Sequence, residues 1–235
     1  MRLITAVAAI AALVAMPVMA KPKPVHHRRP VVHRQMLCSL YTSSGNTAKL
    51  VRDATRTLYD FEATSDSNYL LKHAKAVLIV PSLVKVGFII GGQGGDGVLL
   101  RRNGNVWSYP AFYSMGSPSF GFQAGINSAQ VVLLIMSDRA LAAIEQNEFR
   151  IGTEAGIAIL MVGGNSGATS YNSDIVGWAT AKGAYIGLTV NDSTVRQRPE
   201  WNAIYYNRTV PVDDVFSSRV CNSDADVLRH ALIRD

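Results

Sequence analysis

Few residues of this chain could do chemistry by type and spacing. GGQGGDG, Gly91 to Gly97, contains G-x-G-x-x-G at Gly92, Gly94 and Gly97, after the apolar run AVLIVPSLVKVGFII. In a dinucleotide-binding unit such glycines let the backbone approach a pyrophosphate, which sits on the amides of a helix opening at the third glycine. Here the continuation is VLLRRNGNVWSYP, two extended runs joined at Asn103-Gly104, a strong signal for a two-residue hairpin. With no helix and no βαβ unit the motif predicts a tight turn between strands. Its glycines supply positive φ and close backbone passage, and Asp96 is a turn residue. No nucleotide or other cofactor is expected.

The remaining candidates for catalysis are sparse. Ser166, in Gly164-Asn165-Ser166-Gly167, echoes a nucleophile turn, and His73 is a potential base. Neither H-E-x-x-H nor G-x-S-x-G occurs, and Asp213-Asp214 has no partner at ligand spacing. His26, His27 and His33 are metal-ligand types, but they lie in a flexible arm without preformed geometry. The expectation is a non-enzyme with no catalytic residue and no metal site. Cys38 and Cys221 lie near opposite ends of the folded region; in an oxidising compartment they pair most simply as a disulfide, which would bring those ends together. A catalytic cysteine is the alternative, though neither has a His nearby in sequence.

Charge divides the chain. The chain has 235 residues, 48% of them hydrophobic, enough for one sizeable core or two small ones. Residues 1–20, MRLITAVAAIAALVAMPVMA, pair Arg2 with an apolar run and end in Val18-Met19-Ala20, the pattern of a secretory signal peptide cleaved before Lys21. A membrane anchor is the competing reading, but the run is short and Pro17 follows it. Residues 21–46 form a Pro- and His-rich arm in which Lys21, Lys23, Arg28, Arg29 and Arg34 meet no acid. Of 23 Lys and Arg, six lie at or before Arg34, leaving 17 to face all 17 acids. The formal charge of +6 therefore belongs to the tail. Such an arm is drawn to anionic surfaces, or serves as a solubilising spacer. The location expected is the periplasm or cell envelope, with the protein peripheral at a membrane.

Residues 47–235 are expected to form one domain. NTAKLVRDATRTLYDF places Val51, Ala54, Leu58 and Phe61 on one helical face, with Lys49, Arg52 and Arg56 on the remainder. NYLLKHAKAV reads as a second short helix running into a strand, which Pro81 should interrupt. Ser137 caps a helix over DRALAAIEQN ending at Asn147, and DADVLRHALIRD reads as a closing amphipathic helix. SFGFQAGINSAQVVLLIMS, TEAGIAILMVGG, DIVGWATAKGAYIGLTV and WNAIYYN read as strands. This pattern predicts an α+β fold with a curved antiparallel β-sheet or barrel-like core and a few flanking helices.

The run from Ala74 to Ser137 resembles the SYLF domain family. The likeness rests on an apolar strand with a Pro, glycines before Val98-Leu99, the W-S-x-P-x-F-Y block at Trp107 to Tyr113, and S-x-G-x-Q-x-G at Ser119 to Gly125. DIVGWATAKGAYIGLTVNDSTV and NAIYYN resemble the family's second half. The resemblance covers roughly residues 47 to 215 and implies a lipid-binding module, known in eukaryotic members for phosphoinositides and actin-linked endocytosis. Those members carry their amphipathic helix at the very N-terminus, whereas here it follows a basic arm. What transfers is affinity for acidic phospholipid headgroups. The residues expected to meet them are Lys49, Arg52, Arg56, Lys72, Lys75, Lys85, Arg101 and Arg102, the last two flanking the hairpin tip. Charged protection of a sheet edge is the alternative role for that pair. Trp107, Tyr109, Phe112 and Tyr113 are expected in the core. Acidic phospholipid is the partner expected, and nucleic acid is not. A structural or scaffolding envelope protein that binds a protein or polymer is the alternative function.

Overall fold

The structure, a computed structural model, describes residues 45–87, 90–120, 125–152, 157–161, 173–182 and 192–233. The signal-like segment, the arm, Cys38, Phe122 and Ser166 lie outside the described residues. Helix α1 spans Asn46–Glu62 and α2 spans Ser67–His73. Strands β1 (Ala76–Gly87), β2 (Ile90–Asn103), β3 (Val106–Trp107), β4 (Ala111–Phe120) and β5 (Gly125–Ile135) follow. Next come α3 (Asp138–Ile144), β6 (Glu148–Arg150), β7 (Ile157–Met161), β8 (Ile175–Lys182) and β9 (Thr194–Gln197). Helices α4 (Pro199–Tyr206), α5 (Val212–Phe216) and α6 (Asp226–Ala231) close the chain, with a 3₁₀ turn at Ser223–Ala225 before α6.

One nine-stranded sheet holds these together, in the order β6-β9-β4-β2-β1-β5-β8-β7, with β3 on β2. Every pairing is antiparallel except β7 with β8. The sheet is strongly curled into a half-barrel with helices against it, the α+β architecture expected. Ala76, Val77, Leu78, Ile79 and Val80 of β1 are all fully buried, so the central strand is covered on both faces. The register pairs Val77 with both Leu100 and Leu134, and Ile79 with both Val98 and Val132. Residues paired across strands share a face. On that face Trp178, opposite Val132, meets Phe61 of α1 edge-on at 5.6 Å, and Phe112, opposite Val98, meets Tyr205 of α4 at 5.1 Å. The opposite face carries Leu78, Leu99 and Tyr113, and Tyr113 donates from its hydroxyl to the Ile144 carbonyl of α3 at 3.2 Å.

Pro81 does not end β1. Strand β1 runs through it, and the ladders to β2 and β5 both slip beside it, between Ile79 and Val84 and between Val80 and Leu83. Each slip gives β1 one extra residue, a β-bulge, and a bulge absorbs a residue without an N–H. The glycine run also differs from expectation. Gly91 to Gly97 are not a turn but lie within β2, paired on one side with β1 and on the other with β4. Positive φ is not their role, since among the described glycines only Gly45, Gly104 and Gly152 adopt it. Their role is close approach: a Cβ on Gly95 would sit 2.3 Å from the Ser82 carbonyl oxygen, and one on Gly97 would sit 2.6 Å from that of Ile79. The bulge therefore presses on β2 where β2 has no side chains.

Other boundaries moved for local reasons. Asn103 pairs with Val106, so the hairpin turn is Gly104-Asn105, with Gly104 at φ 64°. WNAIYYN is helix α4 rather than a strand. Pro199 starts it with φ preset, Asn207 ends it in the left-handed conformation at φ 53°, and Asn202 accepts from the Phe112 amide at 2.9 Å. Ser137 does cap α3, accepting from the Ala140 amide at 3.1 Å, but the helix stops at Ile144, short of Asn147. The closing helix is short, and a 3₁₀ turn precedes it. Trp107, Tyr109, Phe112 and Tyr113 are buried as expected.

The close approach yields a graded test. Gly97→Ala and Gly95→Ala should each lower the unfolding free energy by about 2 kcal/mol or more, through overpacking against backbone. Gly92→Ala, whose nearest neighbour would be the Ser117 oxygen at 3.8 Å, should stay within about 1 kcal/mol. Urea melts of the three variants check this, and equal effects at Gly92 and Gly97 would contradict it.

Candidate binding face

Helix α1 positions the basic residues nearest to the arm. Val51, Ala54, Leu58 and Phe61 are buried on the sheet, and burial of each large one contributes roughly 1.5–3 kcal/mol. Thr55 and Thr57 widen the buried face, with Thr55 donating back to the Val51 carbonyl at 2.9 Å. Gln130 of β5 ties the helix down further, donating to Asp60 at 2.8 Å and to Thr57 at 3.3 Å. The opposite side exposes Lys49, Arg52, Arg56 and Tyr59.

These cations do not all stand alone. Asp53 takes an ion pair from Lys49 and another from Arg56, the latter at 3.0 Å. Lys49 and Arg56 remain 69% and 76% exposed, so each pair is worth under about 1 kcal/mol and yields readily to another anion. Asp53, Asp60 and Glu62 match the three bases of α1 in number, so the helix brings no net charge of its own.

The other basic residues separate. Lys72 is exposed at the end of α2, and Lys85 is half-buried on β1 beyond the bulge. Lys75 bonds Asp138 at 2.6 Å. Arg101 lies on the sheet face away from α1 and meets Glu145 at 2.8 Å. Arg102 is not held out at a hairpin tip. Its guanidinium donates to the Ala74 carbonyl at 2.8 Å and to the Leu71 carbonyl, and stacks on Trp107 at 4.4 Å. Burial pushes its pKa down, yet it serves the orphan carbonyls at the end of α2. Only Lys49, Arg52 and Arg56 of the expected set therefore share one face of one helix.

Two grooves flank α1. In one, of about 500 Å³, Arg52, Thr55 and Arg56 face Ser223, Asp224 and Val227 from the start of α6. Nothing local in sequence pairs these segments; only the fold does. In the other, of about 400 Å³, Asn46, Lys49, Leu50 and Asp53 face the bulge at Pro81-Ser82, the glycines Gly94 and Gly95, Asp96 and Trp201. The glycine motif thus does line a cavity. However, Asp53 and Asp96 both border it, and carboxylates repel a pyrophosphate. Asp96 is held by Arg198 at 2.8 Å, and Arg198 also stacks on Trp201 at 4.8 Å.

His73 is exposed, with Nδ1 2.8 Å from the Tyr69 carbonyl, and Asp214 pairs with Arg219 at 2.9 Å. Cys221 packs, partly buried, against the core. No helix among the described residues is long and apolar enough to cross a membrane. Glu145 is perturbed upward: burial raises its pKa, Arg101 opposes the shift and Asp213 adds to it.

Two outcomes follow. Arg102→Ala should destabilise the fold by roughly 2–4 kcal/mol by orphaning two carbonyls, while Arg52→Ala should change stability by less than about 0.5 kcal/mol. Chemical denaturation compares them, and similar losses would refute the division. For Glu145, a folded pKa above the unfolded one means its stabilising contribution is complete below the ordinary carboxylate value of 4.5 and is lost as pH rises through the folded value. The stability difference between the wild type and Glu145→Gln should therefore shift against the wild type from about pH 4.5 upward; a difference flat in pH would contradict this.

Comparison with known proteins follows the same outline. Residues 116–234 match the family model Ysc84, described as Las17-binding protein actin regulator. The chain is 25% identical over 190 residues to Protein YSC84 of Saccharomyces cerevisiae, covering 77% of this chain and 40% of that protein. It is 25% identical over 189 residues to SH3 domain-containing YSC84-like protein 1 of Bos taurus, covering 75% of this chain and 53% of that one. LAS seventeen-binding protein 3 of Saccharomyces cerevisiae is 23% identical over 158 residues, covering 64% of this chain and 34% of that protein. The chain thus spans about half the length, or less, of these relatives. No solved structure matches.

Proposed function

The chain belongs to the Ysc84 family, of which the SYLF domain is the module, and on that premise we propose a peripheral phospholipid-binding protein of the bacterial cell envelope. It is exported by its N-terminal segment and docks on acidic headgroups through its basic arm and α1. The observation that carries this reading is the separation of charge: five bases without an acid in residues 21–34, joined through Gly45 to a helix that exposes Lys49, Arg52 and Arg56. Near an anionic membrane each base of the arm contributes about 1 kcal/mol, so the arm dominates and salt weakens it. Helix α1, with acids equal to its bases, contributes orientation more than attraction. Tyr59, half exposed on the same side, has the amphipathic ring that suits a headgroup boundary.

A second reading has its own support, because the family description and one yeast relative carry protein-binding or regulatory names. In that reading the same face receives a protein or polymer, and lipid contact is incidental. Both readings describe binding rather than catalysis.

Sedimentation with vesicles separates them. The chain from Lys21 onward should co-sediment with vesicles containing acidic phospholipid and not with neutral ones, and should be released by raised salt. Deleting residues 21–34 should remove most of the binding. Arg52→Glu with Arg56→Glu should weaken it by roughly thirtyfold or more, since each base near the surface is worth about 1 kcal/mol and the reversal adds repulsion. Binding indifferent to lipid charge would sink the lipid reading and favour the protein one.

A further inference from the structure

We propose that the groove between α1 and the start of α6 is the headgroup site of a zwitterionic aminophospholipid, a phosphate joined through two carbons to a primary ammonium, as in phosphatidylethanolamine. The proposal rests on the lipid reading above: the arm supplies attraction to an acidic membrane, and this groove selects the lipid that is held.

Charges of both signs line the groove without cancelling. Arg52, Thr55 and Arg56 form one wall and Ser223, Asp224 and Val227 the other, around about 500 Å³. Arg52 and Arg56 lie one helical turn apart, so their guanidiniums are neighbours and together make a donor site for a phosphate. Arg56 keeps 76% of its side chain exposed beside Asp53. Arg52 makes no ion pair among the described residues, although Asp224 borders the same groove. The fold therefore holds a pair of cations and a carboxylate on facing walls, apart from each other. A purely anionic ligand would suit the first wall and be repelled by the second, whereas a zwitterion meets both.

The acceptors on these walls select among zwitterions. Thr55 gives its hydroxyl hydrogen to the Val51 carbonyl at 2.9 Å, so towards the groove it offers lone pairs only. A carboxylate has about four acceptor sites, so Asp224 can take an ammonium beside its contacts within the fold. A primary ammonium brings three N–H donors to such acceptors, and the trimethylammonium of choline brings none. Ethanolamine is thus separated from choline by hydrogen bonding rather than by charge. The lip of the groove points to a lipid rather than a soluble aminophosphate. Val227 is 60% exposed there, and Tyr59, 50% exposed, follows Thr55 by one turn of α1. The glycerol and first methylenes of a lipid have apolar surface to bury against them, and a soluble headgroup does not.

The chain from Lys21 onward is titrated with vesicles holding a constant fraction of phosphatidylglycerol, the remainder being either phosphatidylethanolamine or phosphatidylcholine. Surface charge is then the same in both series. Binding to the ethanolamine series should be roughly fivefold tighter or more, the scale of one charge-assisted hydrogen bond at a half-exposed site. Asp224→Asn, which keeps the shape and removes the charge, should bring the two affinities within about twofold of each other, with a thermal melt to show that it folds. A second readout needs no variant. In the wild type, glycerophosphoethanolamine at millimolar concentration should shift the amide resonances of Arg52, Arg56 and Asp224, and glycerophosphocholine should not. Equal affinity for the two vesicle series, or a preference that survives Asp224→Asn, would overturn the proposal. So would a soluble headgroup that binds as tightly as the vesicles, because the ligand would then be a free aminophosphate. If the preference is absent while dependence on phosphatidylglycerol persists, this site fails and the functional reading stands; if neither series is bound, both fail.

Discussion

The contact that the rest of the fold depends on is backbone against backbone: the bulge of β1 at Pro81-Ser82 lying on Gly95 and Gly97 of β2. An extra residue on β1 shifts its register against both neighbours at once, so the two halves of the central strand follow different alignments. A bulge also raises local twist, and a central strand that bends carries β2 and β5 with it. That is a physical route to a curled half-barrel from a sheet that would otherwise be open. The arrangement works only because β2 presents hydrogen atoms where the Ser82 and Ile79 carbonyls arrive. The same local thinness leaves space outside, and the cavity bordered by Gly94, Gly95 and Pro81 is that space.

The glycine motif therefore had real information in it, but not the information its spacing first suggests. A G-x-G-x-x-G pattern reports that backbone or ligand must come close, and sequence alone does not say which. The absence of a following helix removed the pyrophosphate. What stayed hidden was that the approaching group is the neighbouring strand, because Pro81 looked like an end to that strand and its bulge was not visible in a one-dimensional pattern. Helix α1 was legible to within a residue, since apolar positions at three- and four-residue spacing have one interpretation over four turns. WNAIYYN was not: an aromatic-rich run of seven residues fits strand propensity as well as it fits a short helix. Pro199 and Asn207, which bracket it, were the signals that decide the matter.

Charge was the least legible property. Eight basic residues looked equivalent as sequence, and the fold sorts them by what lies across from each. Arg102 reaches the open end of α2 because Trp107, its partner across the β2–β3 hairpin, supplies a flat surface for the guanidinium. Arg101, one residue earlier, points to the other side of the sheet and finds Glu145. A period of two in a strand sends neighbours to opposite environments, so adjacent arginines acquire unrelated duties. Along α1 the period is longer, and Lys49, Arg52 and Arg56 stay together. The cations that share a face are thus the helical ones, for a geometric reason.

This sorting bears on how such a domain can bind without giving up stability. The face of α1 that anchors it to the sheet is apolar and is closed further by Gln130 on Thr57 and Asp60. The opposite face holds Lys49 and Arg56 in exposed pairs with Asp53, each weak enough to exchange for another anion at little cost. An amphipathic helix that had to leave its core to reach a surface would lose the burial of Val51, Leu58 and Phe61, several kcal/mol in all. Here the helix can stay seated and still present its bases, and the formal net charge belongs in sequence to the residues up to Arg34 rather than to α1. In the proposed reading attraction and orientation are carried by different segments, and neither requires the sheet to open.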